Sequence, residues 1–340
     1  MTPSALSLAR GIALTIAAAV TTTAAASPLG AAPSTEIRAP GPEGLQKPLA
    51  GTYEAPAGSH ATVLVIPGSG PTDRDGNNPL GVRASPYRLL ADGLAARRIA
   101  SVRVDKRGMF GSASAVSDAN AVTVDDYVRD TRAWIDAIRA KTGTPCVWLL
   151  GHSEGGLMAL ATAARDSASI CGVILVSTAG RPLGDVLSEQ LHANPANGPL
   201  ADAGDDAIRA LTKGRHVDAS TLPAPLAPLF NPAVQGFLMS LFAQNPARLI
   251  AQVRVPVLIV QGARDLQVSP ADARRLEQAQ PTATLALLPD TNHVLKTVTT
   301  DDRAANLRTY SDASLPLAPG VVDTIAGFID AHPTTPAPAR

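Results

Sequence analysis

The chain has 340 residues, 45% of them hydrophobic, with 29 Lys plus Arg balanced by 29 Asp plus Glu. That content supports a substantial core in one large domain or two modest ones. The balanced charge and the lack of a basic cluster provide no field for nucleic acid or an anionic membrane surface, and neither is expected as a partner.

At the N-terminus Arg10 precedes an uncharged stretch, residues 11–26, whose apolar part ends at Val20 and which closes on Ala24-Ala25-Ala26. A charge, an apolar run and small residues in that order read as a signal peptide over residues 1–26, cut between Ala26 and Ser27. Secretion or a periplasmic location is the expectation. The apolar run is too short for a good span, so no stable membrane insertion is expected after cleavage. An uncleaved anchor is the alternative, and no lipobox-like cysteine is present. Residues 27–48, rich in Pro, Gly and Ala, read as a loose leader with an edge strand near residues 35–39, and order is expected from Leu49.

Short, β-branched-rich apolar runs then predict strands at residues 61–66, 99–104, 146–150, 170–176, 255–260 and 284–288. Helical patterns fall at residues 87–97, 124–140, 155–165, 270–278 and 321–331. Strand alternating with helix predicts an α/β fold with a doubly wound, mostly parallel sheet, its ligand edge at the strand C-termini. The core is expected over residues 49–180 and 252–332, followed by a tail, 333–340. Residues 181–251 break the alternation: prolines interrupt short helical patterns, and Phe230, Phe237 and Phe242 appear there. This segment reads as an inserted helical cap, its three aromatics either walling a substrate pocket or packing the cap on the body.

Cys146 and Cys171 begin the strands before and after Ser153. If these strands are neighbours, the sulfurs meet at the edge opposite the ligand site. A disulfide and two buried thiols are both compatible with the pattern.

Gly151-His-Ser-Glu-Gly-Gly156 lies between a predicted strand and a predicted helix. A serine at the apex of such a turn is strained and exposed, so the residues two places to either side, Gly151 and Gly155, must lack side chains. Ser153 is therefore the candidate nucleophile. It needs a base, and the base needs an anion to orient it. Of six histidines, His293 follows the last predicted strand on the same edge as Ser153. For the acid, Asp265 ends a turn after the strand at 255–260, with Asp290 as the local rival. The backbone N–H groups of Glu154, after the nucleophile, and Ser69, in the turn Pro67-Gly-Ser-Gly70, are the candidate oxyanion donors. Asp73-Arg-Asp-Gly-Asn-Asn78 has its glycine out of register for an EF-hand and lacks the closing glutamate. It reads as a hydrogen-bonded loop beside the site, joined by Asp105, Lys106 and Arg107 or forming with them a solvated network.

Together, residues 67–76, Asp105-Lys-Arg-Gly108, Gly151-His-Ser-Glu-Gly-Gly156, residues 262–265 and Asn292-His293 resemble the α/β-hydrolase superfamily, and within it the bacterial capped serine esterases. The resemblance spans about residues 49–332 and implies a triad of Ser153, Asp265 and His293 with carboxylesterase-type activity. One departure is Pro67-Gly68 where many relatives carry His-Gly at the oxyanion turn.

The expectation is a serine hydrolase acting on a small-molecule carboxylic ester through an acyl-enzyme, with no metal or organic cofactor required. Small or short-chain esters are expected, because the cap is modest and no long apolar tunnel is evident. A peptidase or amidase of the same superfamily is the alternative reading, and a non-catalytic binding protein on the same scaffold is a third. Aspartate stands at the elbow of the dehalogenase relatives, which disfavours that chemistry here.

Overall fold

The computed structural model describes residues 32–42, 45–193 and 197–333. The expected signal peptide, residues 1–26, lies outside the described residues, as do parts of the leader and residues 334–340 of the tail.

Eight strands build one sheet: β1 (Ser34–Ala39), β2 (Leu49–Glu54), β3 (Ala61–Ile66), β4 (Ile99–Val104), β5 (Val147–His152), β6 (Ile170–Val176), β7 (Val257–Gly262) and β8 (Thr284–Leu288). Their order is β1-β2-β4-β3-β5-β6-β7-β8. β1 and β2 pair antiparallel, β2 joins β4 antiparallel, and all other pairings are parallel. The doubly wound, mostly parallel sheet expected from the alternation is present. β2 was absent from the predicted strands because Leu-Ala-Gly-Thr-Tyr-Glu lacks the continuous β-branched run of the central strands. It is an edge-side strand whose Gly51 fits against the Arg103 carbonyl and Trp134.

The α-helices among the described residues are α1 (Pro86–Ala96), α2 (Val124–Thr142), α3 (Glu154–Arg165), α4 (Leu183–His192), α5 (Gly198–Thr212), α6 (Pro232–Phe242), α7 (Pro246–Ile250), α8 (Pro270–Ala279), α9 (Arg303–Arg308) and α10 (Val321–Ala331). The longest, α2, begins in a reciprocal cap between Thr123 and Asp126 and ends at Gly143, whose φ of 72° suits a residue without Cβ. Side chains alternate across a strand, so each central strand feeds two cores. Leu64, Leu149, Val173 and Ile259 pack with α2, α3 and α8, while Val63, Trp148, Ile174 and Leu258 pack with α1 and α10. Burial on both faces explains why these strands read as unbroken apolar runs.

Between β6 and β7 the chain makes α4 to α7 and no strand among the described residues. Cys146 and Cys171 form a disulfide with a Cα–Cα distance of 5.1 Å, since β5 and β6 are direct neighbours. β3, β5, β6, β7 and β8 run in one direction, which brings the loops after β3, β5, β7 and β8 to one edge.

Candidate active site

Ser153 stands between β5 and α3 with φ 54° and ψ −120°, a conformation that side-chain-bearing residues rarely adopt. The strain is held by close packing. A Cβ on Gly151 would overlap the Gly155 carbonyl, one on Gly155 would overlap the Ile66 carbonyl, and one on Gly156 would overlap Thr178. The Ser153 amide is anchored on the Val176 carbonyl at 2.9 Å.

Register brings the turn after β3 alongside. Ile66 of β3 pairs with Gly151 of β5, so Pro67, Gly68 and Ser69 lie beside His152 and Ser153. A Cβ on Gly68 would sit 3.3 Å from the Ser153 Cβ, which makes glycine the fitting residue there. The Glu154 amide opens α3 and has no intrahelical acceptor. The Ser69 amide likewise has no hydrogen-bond acceptor among the described residues.

His293 Nδ1 donates to Asp265 Oδ2 at 2.8 Å, which leaves Nε2 as the imidazole's basic nitrogen. Asp265 is held in turn: its Oδ1 accepts the amides of Gln267 at 2.8 Å and Val268 at 2.9 Å. Burial opposes ionisation of this carboxyl, but the facing imidazole and the amide donors outweigh it and hold the pKa below the ordinary value. Asp290, the rival acid, is 52% exposed and lies toward Arg264 instead. Gly262 permits the approach of the two loops, since a Cβ there would overlap the Thr291 carbonyl. Ser153 and His293 line one cavity of about 140 Å³. No hydrogen bond joins their side chains among the described residues, and contacts of this kind commonly tighten only once substrate is bound.

The other histidines lie elsewhere or act differently. His60 pairs with Asp330, His192 with Asp205, His216 with Gln235, and His332 with the Phe328 carbonyl. His152, next to the serine, lies in a buried chain of hydrogen bonds. Its Nε2 donates to the His293 carbonyl at 2.8 Å, and its Nδ1 accepts from the Tyr87 hydroxyl at 2.8 Å. The Tyr87 oxygen accepts the Gly68 amide at 3.0 Å. Burial, with the nearby His293, pushes the His152 pKa down to about 3, so the ring is neutral and this donor order is the consistent one. Lys106 grips the same turn from the other side, donating to the Gly68 carbonyl at 2.7 Å with Glu154 Oε1 3.8 Å away. Burial lowers the Lys106 pKa, and Glu154 partly offsets this. Tyr87 carried no sequence signal for this role, and Lys106 only its place in the charged run 105–107, because the groups they bind come from distant segments.

The acidic loop is an internally bonded scaffold. Asp73 accepts the amides of Asp75 at 2.9 Å and Asn77 at 2.8 Å. Arg74 Nε donates to the buried Asp105 at 2.9 Å, and Arg107 donates to Asp130 and Asp126. The charges at 105–107 are therefore buried pairs, which excludes the solvated network.

A second, larger cavity of about 670 Å³ opens on the other side of Ser153, beneath α4 and α6. Phe237 and Phe242 line it, together with leucines, valines and prolines. Phe230 does not. It is fully buried, and its carbonyl accepts from Gln235, so it packs the segment internally instead of facing a ligand.

A parallel sheet in this strand order, with a strained serine at a strand-to-helix apex, defines the protein as an α/β-hydrolase fold. Within that class the chain belongs to the Hydrolase_4 family, serine aminopeptidase S33, which matches residues 80–297, a stretch holding Ser153, Asp265 and His293. It is similar to Esterase EstD of Thermotoga maritima, 27% identical over 230 residues, 66% of this chain and 52% of that protein. The chain thus spans about half the length of this curated relative. Among solved structures it is similar to the α/β hydrolase GrgF of Penicillium sp. sh18, with TM-score 0.58, 15% identity, and 88% and 99% of the two chains covered. A Pyrococcus furiosus esterase superposes with TM-score 0.56 at 14% identity, covering 88% of this chain and 91% of that one. At such identities the likeness is one of fold.

Proposed function

We propose that the protein is a serine hydrolase that cleaves carboxylic esters through an acyl-enzyme. Ser153 Oγ attacks the carbonyl carbon while His293 Nε2 takes its proton, and Asp265 holds the imidazole in the tautomer that makes Nε2 the base. The Ser69 and Glu154 amides receive the oxyanion. Water, deprotonated by the same nitrogen, then releases the acid. The observation that carries this reading is the strained Ser153 sharing one cavity with an imidazole whose other nitrogen is held by a buried carboxylate.

Ester substrates are favoured over peptides by the charges at the cavity. An aminopeptidase must hold a substrate ammonium, whereas the ionic groups lining the larger cavity are Arg181, paired with Asp272 and Glu189, and Glu154, which faces Lys106. An ammonium there would meet a paired cation and apolar walls. Residues 181–251 serve as the cap over the core, 49–180 and 252–332. Export to the periplasm or the medium belongs to the same proposal, supported by the signal-like N-terminus and by the disulfide, which suits an oxidising compartment.

A fluorophosphonate probe should label the protein and leave Ser153→Ala unlabelled. p-Nitrophenyl esters should turn over where aminoacyl and prolyl anilides do not. Labelling of both proteins refutes the nucleophile, and turnover of anilides alone refutes the ester reading.

A further inference from the structure

Two cavities of unequal size meet at Ser153, the larger mostly apolar and the smaller mixed. The larger, about 670 Å³, is walled by Leu183, Val186, Leu187, Phe237, Leu238 and Phe242. The smaller, about 140 Å³, presents Thr72, Asn78, Gln267 and Tyr310 beside His293. Ser69, Ser153 and Gln267 border both, but His293 lines only the smaller and Glu154 only the larger.

The chemistry of acyl transfer orients an ester across this pair. When Ser153 Oγ bonds to the carbonyl carbon, its proton passes to His293 Nε2. The bond from that carbon to the alcohol oxygen then breaks, and the departing oxygen takes the proton from the same nitrogen. The alcohol must therefore leave on the side that His293 lines, which leaves the larger cavity for the acyl group. At the ~30 Å³ that a water occupies in the liquid, the larger cavity has room for roughly twenty non-hydrogen atoms and the smaller for about four or five. The approach to the larger cavity is apolar as well. Leu80, 85% exposed, and Leu229, 37% exposed, line it and are two of the four large hydrophobic side chains exposed among the described residues.

Resting on the hydrolase reading above, we infer that the substrate class is an ester of a bulky, apolar acyl group, of about eight carbons or more and within the roughly twenty atoms the chamber holds, with a small polar alcohol. This departs from the short-chain expectation, which the modest length of the cap suggested. Length did not reveal that α4 and α6 leave a wide chamber between themselves and Ser153.

Two isomeric esters separate the alternatives: 2-hydroxyethyl decanoate, and decyl glycolate, in which the same groups sit on opposite sides of the ester. Titrated in a pH-stat, the decanoate should have a kcat/KM at least tenfold higher. Along the 2-hydroxyethyl series from acetate to palmitate, kcat/KM should rise about two- to fourfold per methylene through the decanoate, to an optimum set by the room in the chamber. Val234→Trp, which adds bulk on the α6 wall, should shift that optimum to shorter chains. Equal rates on the isomers, preference for the glycolate, or an optimum at the acetate would each overturn the inference. Fluorophosphonate labelling of Ser153 keeps the two readings apart. A labelled enzyme with the wrong preference refutes only the substrate class, and an unlabelled one refutes the hydrolase reading itself.

Discussion

His152 Nε2 donates to the backbone carbonyl of His293 at 2.8 Å, tying the strand that carries Ser153 to a loop 141 residues further along. The chain continues through Tyr87 to the Gly68 amide, so the turn after β3, the strand before Ser153 and the loop of His293 share one buried network. The proposed catalytic geometry is therefore held by residues that border the smaller cavity but take no part in the proposed proton transfers.

Tyr87→Phe removes the hydroxyl that donates to His152 Nδ1 and accepts from Gly68. Two buried polar groups lose their partner, at a cost of about 1–3 kcal/mol in stability. kcat on a good ester substrate should fall about tenfold with KM nearly constant, since the loss is one of positioning. Urea unfolding and steady-state kinetics check both, and a variant matching the parent in each would dismiss the network.

The buried His152 makes stability pH-dependent. Its pKa lies at about 3 in the fold against an ordinary 6.5, so between these values the unfolded chain binds the extra proton. Its contribution is complete above about pH 6.5 and is lost as pH falls toward 3, at about 1.4 kcal/mol per pH unit. His152→Gln, whose amide can both donate to His293 and accept from Tyr87, should flatten the fall in Tm between pH 7 and pH 5. Parallel melting curves for the two proteins would count against it.

Asp265→Asn keeps the shape but removes the charge that steadies an imidazolium and fixes its tautomer. Loss of that anion should lower kcat on ester substrates by about 10³- to 10⁴-fold while KM changes little. Asp290→Asn, whose half-exposed carboxylate lies toward Arg264, should leave kcat within a factor of two. Single-turnover kinetics on both variants make the comparison, and equal losses would mean the wrong carboxylate has been assigned.

Gly155→Ala drives a methyl group toward the Ile66 and Pro67 carbonyls, which are backbone and have little room to retreat. Destabilisation of about 3 kcal/mol is expected, together with loss of activity as the Glu154 amide is displaced. Chemical denaturation gives the first quantity, and a change below 0.5 kcal/mol would show that the elbow is looser than its packing implies.

The Cys146–Cys171 bridge closes a loop with a sequence separation of 25. Replacing both cysteines by serine should lower stability by about 3 kcal/mol with no change in kcat, because the bridge lies at the far end of the sheet from Ser153. Guanidinium midpoints with and without reductant test this, and a reductant-insensitive parent would argue against the bond.

Much of the fold was legible because its signals are local. The unbroken apolar run at residues 61–66 can only be covered on both faces, and Gly151 to Gly156 admits few conformations other than strand, tight turn and helix. Edge elements were harder. β2 contains a glycine, and its pairing with β1 and β4 is supplied by partners, not by its own pattern. For the site, chain order and residue type sufficed to bring Ser153, Asp265 and His293 to one edge. Phe230 shows the limit, since an aromatic in a cap segment carries no mark telling wall from filler, and this one turned inward.

Residue order and stiffness alone dictate an alternating strand-helix chain with a serine that must be strained, since those effects act within a few positions. Packing had to settle everything that spans distant segments. It decided whether Asp265 or Asp290 meets His293, whether two cysteines touch, and what His152 holds. It also set the volume left under the cap, because burial, register and cavity size are properties of surfaces that exist only after the sheet and its cap have closed together.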